Sequence, residues 1–135
     1  MVFDPNTVVA LNDIAELLSI SQELLMMEVT FKKATDIDNG EAKIPAKKAL
    51  RAIRITAKEL LYAVFKARSG ELTSQQLQEV RDACVSKIER AIVHAKILAK
   101  SEREAFAGSA AKGNVIQIRV VAPLERLVAD WCRHP

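Results

Sequence analysis

Hydrophobic residues recur at helical spacing from the start of this 135-residue chain. In residues 5–33 they form two series that step by three, four or seven positions. The first series is Leu11, Ile14, Leu18 and Leu25, and the second is Leu17, Ile20, Leu24, Met27 and Phe31. Asp4 or Asn6 is suited to cap this helix, with Pro5 near its first turn. The pattern predicts a helix that is apolar on more than one face, so it is either central or contacts a partner.

Two further stretches keep a helical period and predict helices at about residues 45–68 and 74–107. The first starts at Pro45, follows the turn-like segment TDIDNGEAK and stops at SGEL. Its predicted buried face is Leu50, Ile53, Ala57, Leu60, Leu61 and Val64. The second starts with a capping box of Thr73 and Gln76. Its predicted buried face is Leu77, Val80, Cys84, Ile88, Ala91, Ile92, Ala95, Leu98 and Phe106.

The last segment, VIQIRVVAPLERLVADWCRHP, follows the predicted loop GSAAKGN and fits two patterns. Its first half alternates like a strand, but a lone strand has no partner in this chain. We therefore expect a fourth helix at about residues 114–132, kinked at Pro123 or beginning as an extended segment. Its apolar stripe is Ile116, Val120, Leu124, Leu127, Val128 and Trp131.

Together these elements predict an all-α, single-domain four-helix bundle over residues 1–135. Half of the residues are hydrophobic and only 4% are aromatic, with four Gly and four Pro, a balance typical of helical proteins. Cys84 and Cys132 lack the spacing of a zinc site or a disulfide framework, and we expect no cofactor. The sequence has no signal-peptide pattern and no membrane-length apolar run, which favours a cytoplasmic protein without a membrane partner.

Positive charge is concentrated in the second helix. Residues 43–68 hold eight basic residues and one acidic residue, whereas residues 1–42 hold two basic and eight acidic ones. Spacings of four, three and four align Lys47, Arg51, Arg54 and Lys58 in one stripe. The residues predicted to contact nucleic acid are Lys47, Lys48, Arg51, Arg54, Lys58 and Tyr62. Such a row suits a phosphate backbone without sequence preference, and Tyr62 suits base stacking.

Two alternatives remain open for these charges. Basic residues beside a bundle core often pair with acids of a neighbouring helix or of a second chain, and the first helix offers such acids: Asp13, Glu16, Glu23 and Glu28. An enzyme that uses His94, or a carboxylate group assembled by folding, is the least favoured hypothesis. Three residues separate Arg90 from His94, whereas the Arg–His motif of HEPN ribonucleases has four to six between them, and no other catalytic motif is present. We therefore expect a protein that is not an enzyme.

Surplus apolar surface predicts that the chain packs against other chains or copies of itself. The residues predicted for such an interface are Met26, Met27, Phe31, Ile55 and Trp131, with Trp131 alternatively holding the fourth helix on the bundle. In size, helical content and basic face the chain resembles small helical subunits of RNA-guided CRISPR complexes, although no motif carries this resemblance. The predicted function is a non-enzymatic accessory subunit that binds nucleic-acid backbone. The alternative is a scaffold module whose basic stripe docks on acidic protein.

Overall fold

The structure, a computed structural model, describes residues 6–35, 44–105 and 110–132. These residues form four helices: α1 (Leu11–Thr35), α2 (Ile44–Arg68), α3 (Ser74–Ala105) and α4 (residues 110–132). Each helix packs on the next one in the chain, and α4 also packs on α1. The predicted all-α bundle is thereby confirmed. None of the described helices is long and apolar enough to span a membrane.

One apolar core lies between the four helices, and it separates the two hydrophobic series of α1. The second series is buried, and its members Leu17, Leu24 and Phe31 have no exposed surface. In the first series Ile14 is half-buried, whereas Leu11, Leu18 and Leu25 are exposed. A helix can turn only part of its circumference to the core, so α1 carries a second apolar face on the outside of the bundle.

The buried faces predicted for α2 and α3 are confirmed, with two corrections. Leu61 is 36% exposed, which places it at the edge of α2's buried face and not at its centre. Val80 of α3 packs against the core but is only half-buried. Phe106 lies outside the described residues. Cys84 and Cys132 are both buried and carry free thiols.

The connection between α2 and α3 follows the predicted turn chemistry. Gly70 has a φ of 76°, a conformation that favours glycine, and its amide donates to the carbonyl of Ala67. The capping box forms in both directions: the Thr73 amide donates to Gln76 Oε1 at 2.9 Å, and the Gln76 amide donates to Thr73 Oγ1 at 3.3 Å. These bonds satisfy amides at the start of α3 that have no partner within the helix.

The first helix begins at Leu11, about six residues later than predicted. The run Thr7, Val8 and Val9 is β-branched, favours extended backbone and pairs with the turn before α3. The Val9 amide donates to the Leu72 carbonyl at 3.0 Å, and the Ser74 amide donates to the Thr7 carbonyl at 2.8 Å. Asn6 precedes the helix in a turn, while Asp4, Pro5 and most of the predicted loop at 35–43 lie outside the described residues.

The fourth helix begins at Ala110, so the second half of the predicted loop GSAAKGN is helical. The ambiguous residues 115–121 are helical and not extended. Residues Gln117–Val121 form a wider π-helical turn just before Pro123, which has no amide hydrogen to donate. The wider turn lets the adjacent Val120 and Val121 both face the core. The predicted apolar stripe of this helix is buried throughout.

Candidate nucleic-acid interface

The outer face of α2 carries the predicted basic residues. Its inner face packs on the core through residues such as Ile53, Leu60 and Val64. Side chains near the opposite face therefore extend from the bundle. Exposed side chains on this outer face are those of Lys47, Lys48, Arg51, Lys58 and Tyr62. Arg54 is half-buried.

Arg54 differs from its neighbours because it is already paired. Its Nε donates to Glu28 Oε1 of α1 at 2.5 Å, and Lys32 Nζ lies 3.7 Å from the same carboxylate oxygen. One of the acids that the sequence offered from α1 thus meets the basic stripe. Glu16, another of them, instead pairs with Arg81 of α3. Of the four cations in the predicted row, Arg54 is therefore paired within the protein, and the other three face solvent.

Lys48 and Arg51 lie at the edge of a groove between α2 and α3. The groove has a volume of about 490 Å³. Its lining residues are Lys48, Arg51, Ala52, Ile55, Lys87, Arg90 and His94. Lys48 and Arg51 are three residues apart on α2, and the basic lining residues of α3 are spaced by three and four, which brings side chains on successive turns to the same side. Five of the seven lining residues are Lys, Arg or His.

Among the residues that the structure describes, no carboxylate lines this groove. Lys87 is held from one side by Glu59, whose two oxygens lie 2.5 Å from Lys87 Nζ. Within the part of the chain that the structure describes, no ion pair involves Lys48, Arg51 or Arg90. Positive groups gathered on the two walls of a concave surface reinforce one another's potential. The groove is therefore a place where an anion is favoured.

A second groove continues along the same edge of the bundle towards the end of α2. It has a volume of about 510 Å³, and Lys58, Tyr62 and Lys66 line its α2 side. Lys66 Nζ lies 5.0 Å from the centre of the Tyr62 ring, a cation–π contact that covers one ring face. Tyr62 is 63% exposed. Glu79 of α3 faces this groove, so its charge is mixed.

Comparison with known proteins gives no family for this chain. No family model, curated protein or solved structure matches it. The assignment of a function therefore rests on the geometry and charge of the described residues.

The sequence prediction missed the α3 side of the interface. Lys87, Arg90 and His94 carry a signal in their spacing, since steps of three and four place them on one side of a helix. They were missed because residues 69–135 hold ten basic and eight acidic residues, and this near balance does not indicate which face of α3 carries the basic ones. Only the packing of α2 on α3 shows that the two basic rows meet.

His94 was the candidate for an enzymatic role, and it lies in the concave groove and is half-buried. Its companions in the groove are cations and apolar groups, and none of the described lining residues is a carboxylate that could orient its ring. Among the described residues, no cluster of three or more His, Cys, Asp or Glu side chains is placed to hold a metal ion. The groove thus offers positive charge for binding an anion.

The five residues predicted for a protein interface divide between surface and core. Met26 is 67% exposed and Ile55 is 37% exposed. Met27, Phe31 and Trp131 are buried in the chain's own core, so their assignment to a partner surface is corrected. Trp131 instead holds α4 on the bundle, and the guanidinium of Arg81 lies 5.6 Å from its ring centre. Met26 and Met27 are adjacent on a helix and therefore point to different sides.

Cys84 is chemically protected. Burial in the core, reinforced by the nearby Cys132 thiol and the Glu59 carboxylate, raises the pKa of Cys84 to about 12. A thiol that stays protonated at neutral pH is a poor nucleophile and a poor metal ligand. Cys84 therefore contributes packing in this fold.

Proposed function

We propose that this chain is a small, non-enzymatic helical subunit that binds the phosphate backbone of a nucleic acid, in the cytoplasm. The observation that supports this most directly is the α2–α3 groove, where basic side chains from two helices meet and no carboxylate of the described residues lines the wall. A polyanion that binds there relieves the repulsion between these groups and releases its own counterions.

The arrangement favours a backbone over a base sequence. Lysine and arginine provide mobile or forked donors that contact phosphate oxygens, whereas α2 exposes only two aromatic rings, Tyr62 and Phe65. Lys47 and Lys58 extend the basic surface along α2 beyond the groove, which suits an extended chain of phosphates. Tyr62 offers its uncovered ring face to a base, a contact that every base can make.

The proposal is tested by fluorescence anisotropy with labelled single- and double-stranded DNA and RNA over a series of salt concentrations. The test variant replaces Lys48, Arg51 and Arg90 with alanine. These residues have no ion pair in the described structure, so the fold is not expected to weaken. Three lost phosphate contacts lower the slope of log K against log salt by roughly 2–3, at about 0.7–0.9 per contact.

A matched control removes the same charge from the opposite edge of the bundle, with Lys33, Arg119 and Arg126 replaced by alanine. These three side chains are exposed on α1 and α4. The control is expected to keep the wild-type salt slope. Absence of binding at low salt, or equal losses in the two variants, contradicts backbone binding through the groove.

A second function is favoured by a different observation, namely that carboxylates already meet this surface. Arg54 binds Glu28 and Lys87 binds Glu59, so the face is able to pair with acidic side chains in fixed geometry. In this alternative the chain is a scaffold module, and its basic face docks on an acidic protein surface. Binding to a synthetic acidic peptide with no binding to any nucleic acid decides for this alternative.

A further inference from the structure

The outer face of α1 carries a regular apolar row that the fold does not use. We call this row the α1 seam. It consists of Leu11, Ala15, Leu18, Gln22, Leu25 and Val29. All six side chains are exposed, from 38% for Leu18 to 83% for Leu11 among the large apolar ones. Leucine at this exposure contributes little to its own core, so the row needs another explanation.

The spacing of the seam is that of a helix-pairing surface. Its steps are four, three, four, three and four residues, which is the alternation of the a and d positions of a coiled coil. All three of its leucines fall on the equivalent positions 11, 18 and 25. A surface with this repeat matches a partner helix that has the same repeat, because side chains of one fill the spaces of the other.

We propose that the α1 seam is the interface between two copies of this chain. The seam itself contains no charged residue, so a strongly charged partner finds no complement there. A second copy offers the same apolar row at the same spacing. Most soluble oligomers are twofold dimers in which one surface meets its own copy, and a self-matching row meets that requirement.

The neighbouring part of α2 widens this surface. A groove of about 630 Å³ runs between the start of α1 and the end of α2, and Leu11, Leu18 and Ala67 are among its lining residues. In the same half of α2, Leu61 is 36% exposed and Phe65 is 60% exposed. With these residues and Met26, the apolar side chains expose on the order of 700 Å² per copy, so two copies reach the ~1,200–2,000 Å² of a specific interface.

Gln22 is the polar member of the seam, and it makes a second test possible. A single polar residue in such a row lowers the stability of pairing while fixing its register. Replacing Gln22 with leucine is therefore expected to tighten the dimer, because it removes the desolvation cost of an amide. This variant adds apolar surface on the outside and leaves the core of the bundle unchanged.

Dimerisation through the α1 seam rests on the proposal that this chain is a subunit of an assembly. It does not use the α2–α3 groove, so dimerisation and nucleic-acid binding can be disproved independently. The test is sedimentation velocity of the purified chain, without nucleic acid, over a range of concentrations. The wild type is expected to be a dimer. The double variant Leu18→Glu/Leu25→Glu is expected to dissociate, with its Kd raised at least ~100-fold because four carboxylates enter the interface.

The matched control is Val93→Glu/Ile97→Glu, two α3 residues that are 54% and 50% exposed. It adds the same charge to a similarly exposed apolar pair outside the seam, and it is expected to leave the dimer intact. Circular dichroism verifies that both variants keep the helical fold. A monomeric wild type, a seam variant that still dimerises, or a dimer lost only in the control each overturns the proposal.

Discussion

Helices α1 and α2 are each 25 residues long and pack side by side, yet their outer faces differ in chemistry. The outer face of α1 carries the uncharged, mainly apolar α1 seam, whereas the outer face of α2 carries Lys47, Arg51 and Lys58. Both inner faces are apolar and join the same core. The fold therefore constrains one side of each helix and leaves the other free to carry a separate interaction.

The contrast also explains the division of the molecule's charge. Acidic residues of α1 lie beside its apolar rows and serve partly as internal partners, as Glu28 does for Arg54 and Glu16 does for Arg81. Basic residues of α2 exceed what those acids neutralise, and the excess faces solvent next to α3. Two surfaces with different chemistry suit two different partners, an apolar helix and a polyanion.

The largest expected effect is a difference in stability between substitutions of two adjacent leucines, one on each face of α1. Leu24 is fully buried and Leu25 is 44% exposed. Replacing Leu24 with alanine is expected to lower the free energy of unfolding by about 2–5 kcal/mol, since it removes apolar contacts and leaves a cavity. Replacing Leu25 with alanine is expected to cost less than ~1 kcal/mol in the monomer.

Urea unfolding monitored by circular dichroism measures both variants, at a concentration where the chain is monomeric. The Leu25 variant serves as the control for helix propensity, because both substitutions are leucine to alanine in the middle of the same helix. Equal losses in the two variants would contradict the assignment of Leu25 to the outside of the bundle.

Periodicity was sufficient to predict the four helices and most of their buried faces. In α2 and α3 one apolar stripe stands against a charged remainder, so the buried side is unambiguous. In α1 two apolar series satisfy the same period, and the sequence offers no local rule for which one faces the core. The answer depends on neighbouring helices, which supply complementary residues such as Ile53 and Leu60 on one side only.

The candidate site shows the same limit. The basic row of α2 is visible in the sequence because the helix has a single acidic residue, Glu59. The basic row of α3 is hidden by acids on the other sides of that helix. Neither the pairing of Arg54 with Glu28 nor the meeting of the two basic rows follows from spacing within one helix, because both depend on contacts between residues far apart in the chain.

The next prediction concerns the apolar core beneath these two faces, where a charged group is unfavourable, in contrast to the exposed surface of α2. Burial raises the pKa of Cys84 to about 12. In the unfolded chain this thiol ionises at its ordinary, lower pKa, so the unfolded state binds fewer protons at alkaline pH. Stability is therefore unaffected below the ordinary pKa and falls as the pH rises towards the folded value.

At pH 10 the expected loss from Cys84 is roughly 1–2 kcal/mol relative to pH 7, because pH 10 lies about one unit or slightly more above the ordinary pKa of a thiol. The measurement is the difference in unfolding free energy between the two pH values, for the wild type and for Cys84→Ala. Groups distant from Cys84 are common to both proteins, so the variant is expected to show a smaller loss. Identical losses would argue against an ionisation of Cys84 coupled to unfolding.

The smallest expected effect distinguishes two arginines on the outer face of α2. Arg54 is bonded to Glu28, whose side chain is only 17% exposed, whereas Arg51 faces the groove without an ion pair in the described structure. Replacing Arg54 with alanine is expected to lower the unfolding free energy by about 0.5–1 kcal/mol, within the range for partly exposed pairs. Replacing Arg51 with alanine is expected to leave it unchanged or slightly raised, because repulsion in the groove decreases.

Nucleic-acid affinity is expected to respond in the opposite order. Arg51→Ala removes a solvent-facing cation from the α2–α3 groove and is expected to weaken binding, whereas Arg54→Ala removes a charge that Glu28 already neutralises. A double-mutant cycle of Arg54→Ala with Glu28→Gln isolates the ion pair from the effect of truncating the side chain. If Arg54→Ala weakens binding more than Arg51→Ala does, then the polyanion lies towards α1 and not in the α2–α3 groove, and the contrast between the two outer faces no longer holds.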